Sequence, residues 1–295
     1  MNKKWADKCA TSMFTVIAAI IIAVLAGLIG YIFVRGLAQI DWAFLTNPPS
    51  SYRAGGGIGP QLFNSFYILF LTMLFTVPLG LGGGIYMAEY AKPGRVTDFI
   101  RTCIEVLASL PSIVVGLFGL LVFVQLTGWS YSILGGALAL TVFNLPVMVR
   151  VVEDAITSVP REQKEASLAL GITQWDTIRT VILPAAFPGI LTGVILSAGR
   201  VFGEAAALLF TSGVTTPRLD WMNLNPFSET SPLNVFRPAE TLAVHIWKIN
   251  TQSLIPDARE VADGAALVLI FAVLLFNLLA RLLGRYVHRK LTASK

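Results

Sequence analysis

Apolar positions along the chain gather into six long runs, at about 11–34, 62–85, 104–124, 132–149, 187–210 and 261–282, separated by shorter polar, Pro- and Gly-containing stretches. A run of about 20 apolar residues, as helix, crosses a hydrocarbon core of roughly 30 Å. The pattern therefore predicts an all-α, polytopic membrane protein with six transmembrane helices. The stretch at about 153–184 interrupts it. Here Pro160 can open a short helix, because its missing N–H is an orphan donor of the first turn anyway, and Gly171 can close it in the left-handed conformation. Thr173 then offers an N-cap with Asp176 in the first turn of a second helix, which Pro184 should stop or kink. The expected product is a helix–turn–helix outside the bilayer.

Composition agrees with this pattern. Of 295 residues, 55% are hydrophobic and 13% charged, and the mean hydropathy is +0.71, too apolar a surface for a soluble fold. Six spans leave no residues for a second folded domain, so residues 1–295 are expected to form a single membrane domain. There is no GxxxxGK[ST] loop, and any ATP must be handled by a partner. The Gly55–Gly59 and Gly82–Gly84 clusters lack the Lys of such a loop and fit a surface loop and a closely packed helix end. Cys9 and Cys103 are too isolated to suggest a disulfide, and His245 and His288 are too far apart for a metal constellation. No nucleophile–base pair points to an enzyme, and no cofactor is expected. Lys3 and Lys4 before an apolar run resemble a secretory leader, but the run is about twice an ordinary leader core and has no clear small-residue cleavage site, so a retained anchor is expected.

Three features carry candidate chemistry. The first is Glu165-Ala166-Ser167-Leu168-Ala169-Leu170-Gly171, whose small side chains let another backbone approach, with Arg161 placed to pair with Glu165 four residues on. An amphipathic connector resting on lipid headgroups is the plainer alternative. The second is Gly199-Arg200-Val201-Phe202-Gly203-Glu204 within the fifth run. Arg200 falls near mid-depth, where an ionised side chain costs at least ~2.5–3.5 kcal/mol and should face protein or water. On a continuous helix Glu204 lies one turn further on the same face, so the two form either a packing ion pair or a cationic element on the route of an anion. The third is proline within spans, at Pro78, Pro111 and Pro146, which can bend a helix or open its hydrogen-bond ladder to a pathway. The outer loops hold Trp42, Pro48, Pro49 and Tyr52, and then Trp221, Phe227 and Trp247 in a 211–257 segment expected to fold against the membrane surface or a partner.

The spacing Glu-Ala-small, three residues, Gly, nine residues, then Val181-Ile182-Leu183-Pro184 resembles the EAA motif of ABC-importer permeases. Together with Ile85-Tyr86-Met87-Ala88-Glu89-Tyr90, Leu110-Pro111-Ser112 through Gly119, and Pro238-Ala239-Glu240-Thr241 through Ile246, the chain is similar over nearly its whole length to the PstA-type permease subunit of phosphate ABC importers. Ser167 stands for the third small residue and Ala205 where a Thr is common. The resemblance implies a type I ABC-importer permease fold and a permease without its own nucleotide site, translocating inorganic phosphate into the cytoplasm. It implies ATPase coupling through Glu165, Ala166, Ser167 and Gly171, and a translocation pathway at Arg200 and Glu204. The implied partners are a homologous permease subunit, two ATP-binding subunits and an extracytoplasmic phosphate-binding protein. The sister phosphate permease, or a permease for sulfate or molybdate, shares these motifs. A membrane scaffold that reports phosphate status is the rival of another class.

Six spans place both termini on one side, and Lys/Arg bias chooses it. With the N terminus inside, fifteen of the 22 Lys and Arg are cytoplasmic, six are outside and Arg200 is within the membrane. The expected location is the cell membrane, with N and C termini and the helix–turn–helix cytoplasmic. A reporter fused after Lys295 should read cytoplasmic; an extracytoplasmic signal would overturn the orientation and the placement of the coupling loop together.

Overall fold

A computed structural model describes residues 3–50, 54–252 and 255–293. Tyr52, one of the expected interfacial aromatics, and Lys295 lie outside the described residues. The described chain is built of helices: α1 (Lys3–Leu37), α2 (Trp42–Thr46), α3 (Gly59–Ile85), α4 (Arg95–Ser109), α5 (Ser112–Gly119), α6 (Ile133–Thr157), α7 (Arg161–Ala169), α8 (Gln174–Thr177), α9 (Leu183–Phe202), α10 (Ala206–Thr211), α11 (Leu242–Gln252) and α12 (Ala258–Ala293). Wide π turns extend α3 over Tyr86–Tyr90, extend α5 over Leu120–Leu126, and join α8 to α9 over Ile178–Ile182.

Five helices are long and apolar enough to cross a membrane, and a sixth crossing exists if the bent pair α4–α5 is one span. That pair corrects the expected continuous run at 104–124. It turns by 100° at the break because Pro111 forces Leu110 out of the helical region, to φ −65° and ψ 135°. The expected fifth span, 187–210, is corrected in the same way: α9 ends at Phe202 and a separate α10 begins at Ala206. Pro184 was expected to stop or kink its helix, yet 174–202 runs on as one span. The π turn lies immediately before Pro184, where the ring would otherwise meet the carbonyl four residues back.

Small residues set how the spans pack, as expected where lipid removes the hydrophobic drive between helices. Gly80, Gly83 and Gly84 of α3 lie against Met148, Val149 and Val152 of α6, so these two helices run parallel. Gly189 and Gly193 of α9 lie against Ala155 and Val151, antiparallel to α6. Gly116 and Gly119 of α5 meet Ala207 and Thr211 of α10. At the α7 end, Ile85, Met148, Val152, Ile156, Ile178 and Ile182 form one buried cluster. At the other end, Phe44, Ile58, Leu242, Ile249 and Val261 form a second. By contrast α1 buries nothing across its apolar window. It touches the rest where Gly36 meets Asp263 and Leu267 of α12, beside an Arg35–Asp263 ion pair at 3.3 Å.

A Cβ on Gly84 would come within 2.5 Å of Val152 Cβ and 2.9 Å of the Val149 carbonyl oxygen, whereas one on Gly82 would meet nothing within 4 Å. Gly84→Val should therefore destabilise the fold by about 1–3 kcal/mol through overpacking. Gly82→Ala should be tolerated. Thermal unfolding in detergent compares the two, and equal stability of both variants would refute the α3–α6 close-packing account.

Candidate functional site

The helix–turn–helix forms as its residues dictate. Pro160 occupies the N-cap position of α7, and Gly171 closes that helix at φ +79°. The Thr173 hydroxyl accepts the Asp176 N–H at 3.2 Å to cap α8. Glu165, Ala166 and Gly171 are exposed. The expected Arg161–Glu165 pair is not among the ion pairs of the described residues. Instead Lys164 pairs with Glu89 in the π turn after α3, at 2.5 Å, and Gln174 donates to the Glu89 carbonyl at 3.0 Å. Both helices of the unit are thus tied to one residue at the end of a span.

Ser167 is turned inward. Its hydroxyl shares a 2.9 Å hydrogen bond with that of Thr177, and both residues are buried. It joins α7 to α8 rather than presenting a bare surface. What is presented is apolar: Leu170 is 81% and Trp175 54% exposed, with Leu168 and Ile172 beside them. The motif spacing identifies the unit but does not single out these side chains. Their signal was large apolar residues in a polar segment.

The second part of the site is Arg200, in the last turn of α9. Its side chain does not meet Glu204. Because the helix ends at Gly203, Glu204 is not carried round one more turn, and its carboxylate instead accepts the Ala207 N–H at the start of α10 at 3.3 Å. The Arg200 guanidinium lies 4.0 Å from the centre of the Phe143 ring. Among the described residues no carboxylate is within ion-pair distance of Arg200.

The contacts of Gly116 with Ala207 and of Gly119 with Thr211 put α5 and α10 in parallel register. In that register Ser112, the first residue of α5, faces about Gly203, so the start of α5 lies within about one turn of the start of α10 at Ala206. Two helix starts, those of α5 and α10, therefore lie near the depth of Arg200. Helix N-termini carry unpaired N–H groups and positive partial charge, the backbone counterpart of a cation. Sequence reasoning found Arg200 from its charge in an apolar run. It missed Phe143, whose role depends on α6 lying beside α9.

A third polar cluster lies at the opposite end from α7, and its members are scattered in sequence. Arg237 and Glu240 are 3% and 1% exposed. The Arg237 guanidinium donates to Asn64 Oδ1 at 2.8 Å and to the carbonyls of Ser231, Pro232 and Pro238. Glu240 receives Gln61 Nε2 and meets His245 Nδ1, each at 3.0 Å, with Lys248 Nζ at 3.3 Å. Asn64 joins the two by donating to the Glu240 carbonyl at 3.0 Å. Burial lowers Arg237 to about 10, leaving it charged at neutral pH. Burial alone would raise the Glu240 carboxyl, but the hydrogen bond and charge of His245, with help from Lys248 and Gln61, outweigh it and hold the group below its ordinary range. This network anchors the 211–241 segment to α3. Its buried polar residues pack on the start of α3, while Trp221 and Phe227, from which a resting surface was expected, stay exposed.

Comparison with known proteins matches the arrangement. Residues 80–293 match the model of the binding-protein-dependent transport system inner membrane component. The chain is 66% identical over 294 residues to a probable ABC transporter permease, YqgI, of Bacillus subtilis, covering all of both chains. It is 34% identical over 277 residues to the phosphate transport system permease protein PstA of Xylella fastidiosa, covering 90% of this chain and 91% of that one. Its fold matches a chain in the crystal structure of a bacterial alginate ABC transporter in complex with its alginate pentasaccharide-bound periplasmic protein. The TM-score there is 0.66 at 15% identity, with 97% of this chain and 98% of that chain covered. An all-helical membrane fold with a capped helix–turn–helix between two spans and a family match through both features leads to one conclusion: this chain belongs to the membrane-spanning permease components of binding-protein-dependent ABC transporters.

Proposed function

We propose that this chain is the permease subunit through which an ATP-driven importer carries inorganic phosphate into the cytoplasm. Residues 1–295 serve as one permease domain with both termini cytoplasmic. A homologous permease completes the pathway, two ATP-binding subunits dock on α7 and α8, and an extracytoplasmic phosphate-binding protein delivers the anion. The observation that carries this reading is Arg200, a cation in a membrane-spanning helix whose charge no carboxylate neutralises. Phosphate bears one to two negative charges at neutral pH, and crossing a low-dielectric layer without a countercharge costs several kcal/mol at least. Arg200 supplies that charge, and the breaks before α5 and α10 supply backbone N–H groups. The similarity to a phosphate permease supports phosphate over other oxyanions.

Glu204 takes a different part from the one expected of it. By capping α10 it holds the break open beside Arg200 without quenching the guanidinium. On the other side of the protein, the exposed Glu165 and small Ala166 with the apolar Leu168, Leu170 and Trp175 form the surface an ATPase groove covers. Motion received there passes through Lys164 and Gln174 to Glu89 and hence to α3.

In vesicles containing the assembled complex, Arg200→Gln should reduce phosphate uptake at least about tenfold, the order expected from losing a charge contact worth ~1.4 kcal/mol or more. Arg200→Lys should also be weak, because an ammonium lacks the planar bidentate fork. Wild-type uptake by Arg200→Gln would remove the anion-pathway role, and equal import of sulfate or molybdate by the unmodified complex would remove the phosphate assignment. Separately, Ala166→Trp should leave the complex inserted while ATP hydrolysis no longer drives uptake. Unchanged uptake by that variant would exclude docking through α7.

A further inference from the structure

Arg200 is held by a ring rather than by an acid, and the difference matters chemically. A carboxylate partner would occupy the edge of the guanidinium and cancel its charge. An aromatic face attracts the cation through the ring quadrupole from above the plane, leaving the in-plane N–H donors and the net positive charge available. Phe143 meets the conditions for such a support. It is 3% exposed, whereas Arg200 is exposed, so the ring is fixed in the protein while the cation faces outward. Its neighbours Leu140 and Asn144 on α6 are fully buried, so the ring sits in a packed part of that helix. Glu204, the acid nearest in sequence, is engaged with the α10 backbone.

The geometry points to Phe143 as the positioning residue for Arg200: its ring face holds the guanidinium beside the pathway while no carboxylate takes up its charge, leaving it able to meet a tetrahedral oxyanion. The inference rests on the anion-pathway reading of Arg200. It also supplies what a lone cation lacks, a means of letting the anion go. The ring and the anion compete for the same positive charge, so the attraction to the ring is strongest when the pathway is empty and weakest when an oxyanion is paired with the guanidinium. The ring thus favours return to the empty state without neutralising the guanidinium as a carboxylate would.

The test uses the full reconstituted complex, radiolabelled phosphate and saturating loaded binding protein. Phe143→Leu keeps an apolar side chain but removes the ring face, and should lower uptake per ATP hydrolysed by roughly 2- to 30-fold, the range of a partly desolvated cation–ring contact. A series of phenylalanines at position 143 bearing one, two and three ring fluorines drains the quadrupole with little change of volume. Uptake per ATP should fall stepwise along it while ATP hydrolysis and subunit content stay constant. A flat fluorine series overturns the inference, even if Phe143→Leu fails to assemble. A packing role would move assembly and hydrolysis together and would ignore fluorination. If Arg200→Gln itself imports normally, the anion-pathway reading falls; if Arg200→Gln is inactive and the fluorine series is flat, only the role of Phe143 falls.

Discussion

A peptide group left unpaired inside an apolar layer costs several kcal/mol, and the rest of this structure depends on where the chain accepts that cost. Two of the apolar runs are interrupted, at Leu110–Pro111 and at Gly203–Ala205, and the glycine contacts between α5 and α10 bring the interruptions within about one turn of each other. Irregular backbone inside an apolar layer is stable only where protein or a water-lined path surrounds it. The Glu204 side chain satisfies one of the exposed N–H groups of α10. Arg200 lies in the last turn of α9, immediately before the second interruption.

Around this place the packing is rigid. The α3–α6 and α6–α9 contacts are made through glycine against branched or long side chains, leaving little freedom to slide without clash. Ile85, Val152, Ile178 and Ile182 extend the same packing to the helix–turn–helix, and Glu89 adds two polar ties. Contiguous packing thus joins α7 and α8 to the helices that carry Phe143 and Arg200. The buried Ser167–Thr177 hydrogen bond makes α7 and α8 one body.

At the far end the Arg237–Asn64–Glu240–His245 network plays the complementary part. Its charges lie too deep for surface screening, and each is met by several hydrogen bonds, the condition under which a buried ion is tolerated. It fastens a long apolar loop onto α3 and so closes the bundle at the end opposite α7 and α8.

The sequence by itself determined the membrane-spanning character, the helix–turn–helix with its caps, and Arg200 as an anomalous charge; of the six expected spans, five stand as long apolar helices among the described residues and the third is a bent pair. Each of these depends on local composition or on spacings of a few residues, which one chain displays directly. The tertiary structure alone decided the rest. The rotation that separates Glu204 from Arg200 follows from ending α9 at Gly203, which no spacing rule on a continuous helix anticipates. The pairing of Phe143 with Arg200, of Lys164 with Glu89, and of Arg237 with Asn64 joins residues 57, 75 and 173 positions apart. Such contacts are set by which helices lie side by side and in what register, and that is fixed by the summed packing of many small side chains rather than by any one stretch of the chain.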